Sequence, residues 1–192
     1  MAPATKEVAI TIPQMDIRVL QLKVVGDSPL ICHAWSSKAK KMMLDKQMKK
    51  AKTAKESKDP DQDFKESLYS LPDGGYGFPA VAFKSAAVDA CSHVDGLTKV
   101  SARGSMHIIG DMVQIEGTPT MREDMVRVGM GTADIRYRGE FRAWSCMLTL
   151  RYNAAVISDE QVVNLFNTAG FAIGVGEWRP QRDGSFGMFH VG

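Results

Sequence analysis

Phe83, Ala86, Ala87, Ala90, Cys91 and Val94 fall at i, i+3, i+4, i+7, i+8 and i+11, one continuous apolar face of a helix. Pro79 precedes it and Gly96 is placed to end it. Most of the face is small, so this helix can pack closely, and a strand pattern on either side supplies the sheet. From Arg18 to Val25, Leu20, Leu22 and Val24 alternate with Gln21 and Lys23 until Gly26, Asp27, Ser28 and Pro29 end the run. Cys146, Leu148, Leu150 and Tyr152 alternate in the same way against Ser145, Met147, Thr149 and Arg151. A second helix starts at Ser158, where Gln161 completes a capping box and Asp159 and Glu160 suit the helix dipole; Val162, Leu165, Phe166 and Ala169 form its buried stripe. The segment Ser105 to Ile115 reads as a hairpin turning at Gly110-Asp111, and Phe186 to Val191 as a short last strand. Stripped of insertions the order is βαββαβ. The expected fold is α+β: a ferredoxin-like, RNA-recognition-type antiparallel sheet with two helices packed on one face and the other face free for a ligand.

Two insertions interrupt this plan within one expected domain of residues 1–192. The first, residues 36–70, is a basic helical insertion. No Gly or Pro falls between Ser36 and Lys55, and Lys, Ala, Met, Leu and Gln are good helix formers, so a helix capped by Ser36 or Ser37 is expected. Its narrow stripe (Ala39, Met43, Leu44, Met48, Ala51) suits a helix on the surface or across a neighbour. Asp59, Pro60 and Asp61 stop it, and Leu71 to Gly77 reads as a loop. Residues 1–15 read as an arm or a short edge strand. The second insertion, residues 117–141, mixes Gly, Pro, Met and Arg without period and reads as a thumb-like excursion or hairpin that leaves the core.

Charge is unevenly placed. Lys+Arg 24 against Asp+Glu 22 leaves +2 overall, yet lysines crowd the segment Ser36 to Lys58, with only Asp45 and Glu56 as acidic relief. A local basic block on a near-neutral chain either attracts a polyanion, with Lys49 and Lys50 among the contacts, or is simply a solvated surface helix. At 44% hydrophobic and 24% charged, the composition excludes collagen-like and disordered classes. No apolar run reaches the roughly 18 residues of a membrane span, and the N-terminus lacks a signal-peptide pattern, so a cytoplasmic protein with no membrane partner is expected. Cys32, Cys91 and Cys146 are too few and too scattered for a disulfide framework. Cys32-His33 and Cys91-x-His93 lack zinc spacing, and neither metal nor cofactor is expected.

The sharpest motif is the run Gly174 to Gly187, which holds Gly174, Gly176, Trp178, Arg179 and Arg182. It follows a helix, opens a strand and has Trp178-Arg179 where a dinucleotide fingerprint needs its third glycine, which excludes a Rossmann site. Glycines let backbone amides approach an anion, Arg179 and Arg182 suit phosphates, and Trp178 suits stacking on a base. The competing reading is a tight crossover loop with Trp178 plugging the core. In the excursion, Met121, Met125 and Met130 with Arg122, Arg127, Arg136 and Arg138 form an adaptable, phosphate-binding surface, or a loop packed on its own domain or on another copy. Catalysis would have to draw on Asp124, Asp134, His107 or His33; no spacing ties these together and no nucleophile motif is present.

Three stretches resemble the RAMP superfamily, the RNA-recognition-fold proteins of CRISPR effector complexes. Gly26-Asp27-Ser28-Pro29-Leu30 resembles the family's strand-then-Ser-Pro-Leu entry, Phe78-Pro79-Ala80-Val81-Ala82-Phe83-Lys84-Ser85-Ala86 the start of its first helix, and Gly174 to Gly187 its C-terminal glycine-rich loop. Within the family the chain is most similar to the backbone subunit that polymerises along guide RNA, whose thumb lies where residues 117–141 lie here. The resemblance implies that Lys84, Arg179 and Arg182 meet the RNA backbone and that the excursion wedges between nucleotides and touches the next subunit. Two departures stand out: Ser85 follows Lys84 where the family has glycine, and Met188 follows Gly187 where a basic residue is common. The chain is also short for such a subunit, which leaves a stand-alone relative open.

The expected function is therefore a non-enzymatic protein that binds the backbone of single-stranded guide RNA. Its partners would be that RNA, copies of itself and other effector-complex subunits; RNA versus single-stranded DNA stays open. The alternative is a structural or interaction protein of the same fold, such as an inhibitor or assembly factor that mimics the backbone subunit. A third reading, a nuclease using Asp124 or Asp134 with a divalent ion, has the least support.

Overall fold

The computed structural model describes residues 12–50, 57–129 and 131–192. The chain runs through β1 (Ile17–Gly26), β2 (Leu30–Cys32), α1 (Ser37–Gln47), α2 (Pro60–Ser67), β3 (Tyr69–Ser70), β4 (Tyr76–Pro79) and α3 (Ala80–Ala90). It continues through α4 (Lys99–Ser105), β5 (Met106–Ile108), β6 (Met112–Glu116), β7 (Pro119–Val128), β8 (Thr132–Phe141), β9 (Ser145–Asn153), α5 (Asp159–Ala172) and β10 (Phe189–Val191). One antiparallel sheet has the order β10-β1-β9-β6-β4-β3, with β5 also on β9; a second has the order β2-β8-β7.

The main sheet follows from the alternation in β1 and β9. Their register pairs Leu20 with Leu150, Leu22 with Leu148 and Val24 with Cys146, so the apolar residues of both strands share one face. On that face lie Phe83, Ala86, Ala87 and Ala90 of α3 and Val162, Leu165, Phe166 and Ala169 of α5, all buried. The α5 capping box is formed: Ser158 Oγ accepts from Gln161 N at 3.2 Å, and Gln161 Oε1 accepts from Ser158 N at 2.9 Å. Gly170 lets α5 touch the last strand, since a Cβ there would stand 1.7 Å from the carbonyl oxygen of Phe189. Strands β5 and β6 are both antiparallel to β9, as is β1, so β1 and β5–β6 are parallel with β9 between them and α3 as their crossover. Likewise β9 and β10 flank β1 with α5 as crossover. Two interleaved split βαβ units result, the ferredoxin-like plan of an α+β fold.

Several expectations need correction. Ser105 to Ile115 is no hairpin: β5 and β6 run in one direction along β9, and Gly110 (φ 90°) only bends the chain between them. The apolar edge of β9 offered more ladder than a two-residue turn did. The 105 end of that segment is instead the end of α4, a helix the periodicity did not reveal. Asp59-Pro60 opens α2 rather than ending α1, which stops at Gln47, because Asp59 accepts from Gln62 N at 3.1 Å and proline suits the first helical turn. Tyr76 and Gly77, read as loop, belong to β4. The last strand begins at Phe189 rather than Phe186, and α5 runs to Ala172. Helix α1 is capped by Ser36 as expected, but it ends at Gln47 and buries no side chain. Ala51 of its stripe, Met130 and residues 1–11 lie outside the described residues.

Residues 117–141 form a hairpin of β7 and β8, and β2 extends it to three strands. Its base does not leave the core: Phe141, Glu140 and Arg138 are buried, while Met121 and Met125 stay exposed. Helix α2 packs against β8, where Ser67 Oγ accepts from Gly139 N at 2.8 Å. Among the described residues no helix is long and apolar enough to cross a membrane.

Candidate nucleic-acid interface

The three stretches that carry the sequence resemblance lie far apart in the chain and meet at one place. Helix α5 ends, and the loop after it folds back on itself, with Val175 N donating to Gly187 O at 2.9 Å and Phe186 N to Trp178 O at 3.1 Å. Glu177 N donates to Ile31 O and Gly187 N to Pro29 O, so the loop is stitched to the start of β2. Asp27 N donates to Met188 O, and Ser28 Oγ accepts from Met188 N, both at 2.9 Å. Gly174 and Gly176 adopt φ of 69° and 80°, and a Cβ on Gly176 would stand 2.6 Å from Ile31 O. These glycines thus solve a steric problem, and Gly174 is buried. Beside the loop, Phe78, Pro79, Ala82, Ser85 and Ala86 of the second stretch line a cleft of about 330 Å³ that also includes Gly174, Gly176 and Arg179.

The cleft has an apolar floor and a polar rim. Across the mouth runs a chain of side chains: Arg179 donates to Gln181 Oε1, Gln181 to Asp89 Oδ2 at 2.7 Å, and Lys99 to Asp89 Oδ1 at 2.9 Å. Opposite, His33 Nδ1 lies 3.4 Å from Glu177 Oε1. The His33 contact, with Arg138 and Arg179 nearby, holds the Glu177 carboxyl below its ordinary pKa; the Lys99 and Gln181 hydrogen bonds do the same for Asp89. Both are carboxylates at neutral pH. From His33 and Tyr69, two further hollows of about 340 and 220 Å³ flank Trp35; Lys40 lines the first, Arg136 and Tyr137 the second. Three neighbouring hollows thus share His33, Tyr69 and Trp35 between the glycine loop and α1, lined by rings (Tyr69, His33, Trp35, Tyr137), cations (Arg179, Lys40, Arg136) and carboxylates (Asp63, Glu66, Asp89, Glu177). The rings have the chemistry to stack on bases and the cations to meet phosphates, while the carboxylates can accept only N–H or O–H donors.

The exposed face of the main sheet does not provide this. Val19, Gln21 and Lys23 of β1, His107 of β5, Gln114 of β6 and Met147, Thr149 and Arg151 of β9 point away from the helices, without one Phe, Tyr or Trp. Base stacking of the RNA-recognition-motif kind, which needs aromatic rings on that face, has no platform there.

The candidate residues divide into groups. Arg179 and Arg182 sit on the loop beside the cleft; Arg179 also donates to Gly176 O at 3.1 Å, and Arg182 is exposed. Trp178 does not plug the core, being 42% exposed at φ 56°, with the Arg138 guanidinium 6.0 Å from its ring centroid. Lys84 stands away from the cleft rim, its Nζ 3.0 Å from His107 Nδ1, and burial with the nearby Arg103 lowers its pKa. Lys49, at φ 54° just past α1, is exposed, and Lys50 pairs with Asp45 at 2.9 Å. Arg127 near the hairpin tip is exposed, and Arg136 pairs with Asp134 at 2.9 Å.

Arg122 and Arg138 require correction as contact residues. Arg138 is buried and donates to Asp124 Oδ2 at 3.3 Å; Arg122 donates to Asp124 Oδ1 at 2.8 Å and Glu140 Oε1 at 3.0 Å. The Arg122 guanidinium also lies 4.8 Å from the Phe186 ring centroid. Buried carboxylates on the same hairpin face claim both guanidiniums, which fasten the hairpin base to the glycine loop. The acids of the nuclease reading are held likewise, Asp124 by these arginines and Asp134 by Lys58 and Arg136. Trp35, Tyr69, Tyr137, Lys40 and Glu177 were not singled out from the sequence. A His-x-Trp pair at the end of β2 was the one available signal.

No family model matches the chain, and no curated protein does. Among solved structures, Cmr6 from Pyrococcus furiosus is similar over 93% of this chain and 100% of that one, at 9% identity and a TM-score of 0.48. A chain of the Type III-B Cmr-beta assembly bound to cognate target RNA is similar over 92% of this chain and 59% of that chain, at 9% identity and a TM-score of 0.51. The second likeness shows a shared α+β fold.

Proposed function

We propose that the chain is a non-catalytic, cytoplasmic RNA-binding subunit of CRISPR effector type, which holds single-stranded guide RNA and assembles in repeated copies along it beside other effector subunits. The observation that carries this reading is the set of adjoining hollows between the glycine loop and α1, where His33, Tyr69, Trp35 and Tyr137 lie beside Arg179, Lys40 and Arg136 on a fold of RAMP type. A likeness to a chain from an assembly bound to target RNA agrees with it. The test measures the affinity of a labelled single-stranded RNA as a function of salt. The Arg179→Ala, Arg182→Ala double variant should lose affinity across sequences and lower the salt slope by about one unit per lost phosphate contact. An unchanged slope removes the loop from the RNA site. Light scattering before and after RNase treatment reads the assembly: a large particle that RNase collapses supports polymerisation on RNA.

A second reading, an interaction protein that mimics such a subunit, is favoured by α1. Met42, Met43 and Leu44 lie on it exposed, with Met48 exposed just past its end, a surface suited to a protein partner. A nucleic-acid-free preparation with one discrete protein partner would support it.

A further inference from the structure

Asp89 and Glu177 stand at the rim of a cleft in a protein we read as binding a polyanion. Two carboxylates repel phosphate; what they accept is N–H donors. Beneath them the floor is apolar, formed by Phe78, Pro79, Ala82, Ile173 and Val175, and Tyr69 and His33 add rings at the edge. The cavity of about 330 Å³ admits one base with its sugar. Asp89 is already shared between Lys99 and Gln181, whereas Glu177 makes one close side-chain contact, with His33. The Glu177 carboxylate thus keeps acceptor capacity toward the cavity.

Among RNA bases, guanine alone places two adjacent donor groups, N1–H and N2–H₂, on its pairing edge, which match the two oxygens of one carboxylate. Uracil offers a single N–H between two carbonyls, and adenine and cytosine set a bare ring nitrogen beside the amine, which a carboxylate repels. We infer that the cleft takes one guanine base turned out of a single-stranded RNA, read on its pairing edge by Glu177 while Arg179 meets the adjoining phosphate. The inference rests on the RNA-binding reading and adds base selectivity to it. Unpaired RNA makes turning a base out least costly, and pockets that read such bases combine edge hydrogen bonds with an apolar bed.

Fluorescence anisotropy with labelled nine-nucleotide RNAs tests it: all uridine, or uridine with one central guanosine, adenosine or inosine. The guanosine oligomer should bind about tenfold more tightly than all-uridine, the scale of one good bidentate base contact. Inosine, which lacks the N2 amine, should lose most of that gain, and adenosine should show none. Glu177→Gln should bring the guanosine oligomer to the affinity of the all-uridine one. Equal affinities for guanosine, inosine and uridine in the wild-type chain, or full guanosine preference in Glu177→Gln, overturn the inference while RNA binding stands. If none of the four binds at low salt, the RNA-binding reading fails and the inference with it. The wild-type comparison of guanosine with inosine decides the matter even if the variant does not fold.

Discussion

The two acidic and two basic side chains at the base of the β7–β8 hairpin make an asymmetric prediction. Asp124 accepts from both Arg122, at 2.8 Å, and Arg138, at 3.3 Å. Their side chains differ in exposure: 10% for Asp124 and 6% for Arg138, against 30% for Arg122. Asp124→Ala leaves the Arg138 cation buried, with its nearest counter-charge gone. Removing one partner of a buried pair costs about 3–5 kcal/mol. Arg138→Ala is milder, because Asp124 keeps its shorter contact with the better hydrated Arg122. Arg138 Nε already has no partner among the described residues, so that substitution also removes an unsatisfied donor. We expect about 1–3 kcal/mol there, the scale of one hydrogen bond to a charged group. For a chain of this size each kcal/mol shifts Tm by about 2–4 °C, so Asp124→Ala should lower it by about 6–20 °C and Arg138→Ala by about 2–12 °C. Urea unfolding followed by circular dichroism, with calorimetry, measures both. In the double variant the costs should sum to less than the two singles, since the second change removes the stranded charge. Arg138→Ala costing as much as Asp124→Ala, or both lying within about 0.5 kcal/mol of wild type as surface changes do, would refute the reasoning.

Other outcomes follow from single contacts. Gly170→Ala should destabilise by about 1–3 kcal/mol despite alanine's better helix propensity, because its Cβ would fall 1.7 Å from a backbone oxygen that cannot yield; a gain in Tm would contradict the α5–β10 contact. Burial pushes the Cys32 and Cys146 thiols up to about 12, so a thiol reagent at pH 8 should label neither in the folded chain and both after denaturation. Because the folded pKa of Glu177 is lowered, chiefly by His33, its stabilising effect is complete above the ordinary glutamate value of about 4.3 and is lost as pH falls through the folded value. Glu177→Gln should therefore flatten the stability profile below about pH 4.3, and an unchanged acid limb would show that the contact is absent in solution.

Some of this architecture follows from sequence alone, since it depends on local chemistry. The stripe of α3, the alternation of β1 and β9 and the Ser158–Gln161 box each report a period or a cap that needs no distant partner, and together they imply the βαββαβ order. Where two local patterns competed, tertiary contact chose. Gly110-Asp111 is a fair turn signal, yet the chain continues along β9, which offers β5 and β6 a ladder and a buried face. The arginines show the same limit more sharply. Nothing in the spacing of Arg122, Arg127, Arg136 and Arg138 separates them; alternation turns only Arg127 to the opposite face, while Arg136 shares the face of Arg122 and Arg138 but lies nearer the tip, where it pairs with Asp134. Arg122 and Arg138 are cross-strand partners on the face turned to Asp124, Glu140 and the glycine loop. The set of hollows was the least legible feature. His33 with Trp35, Tyr69, Tyr137 and Arg179 are drawn from four points of the chain, and their nearness is set by which strands pair. The sequence determines which residues can stack, cap or carry charge; only the fold, by bringing residues 31–33, 78–89 and 173–181 around one cleft, decides which of them act together.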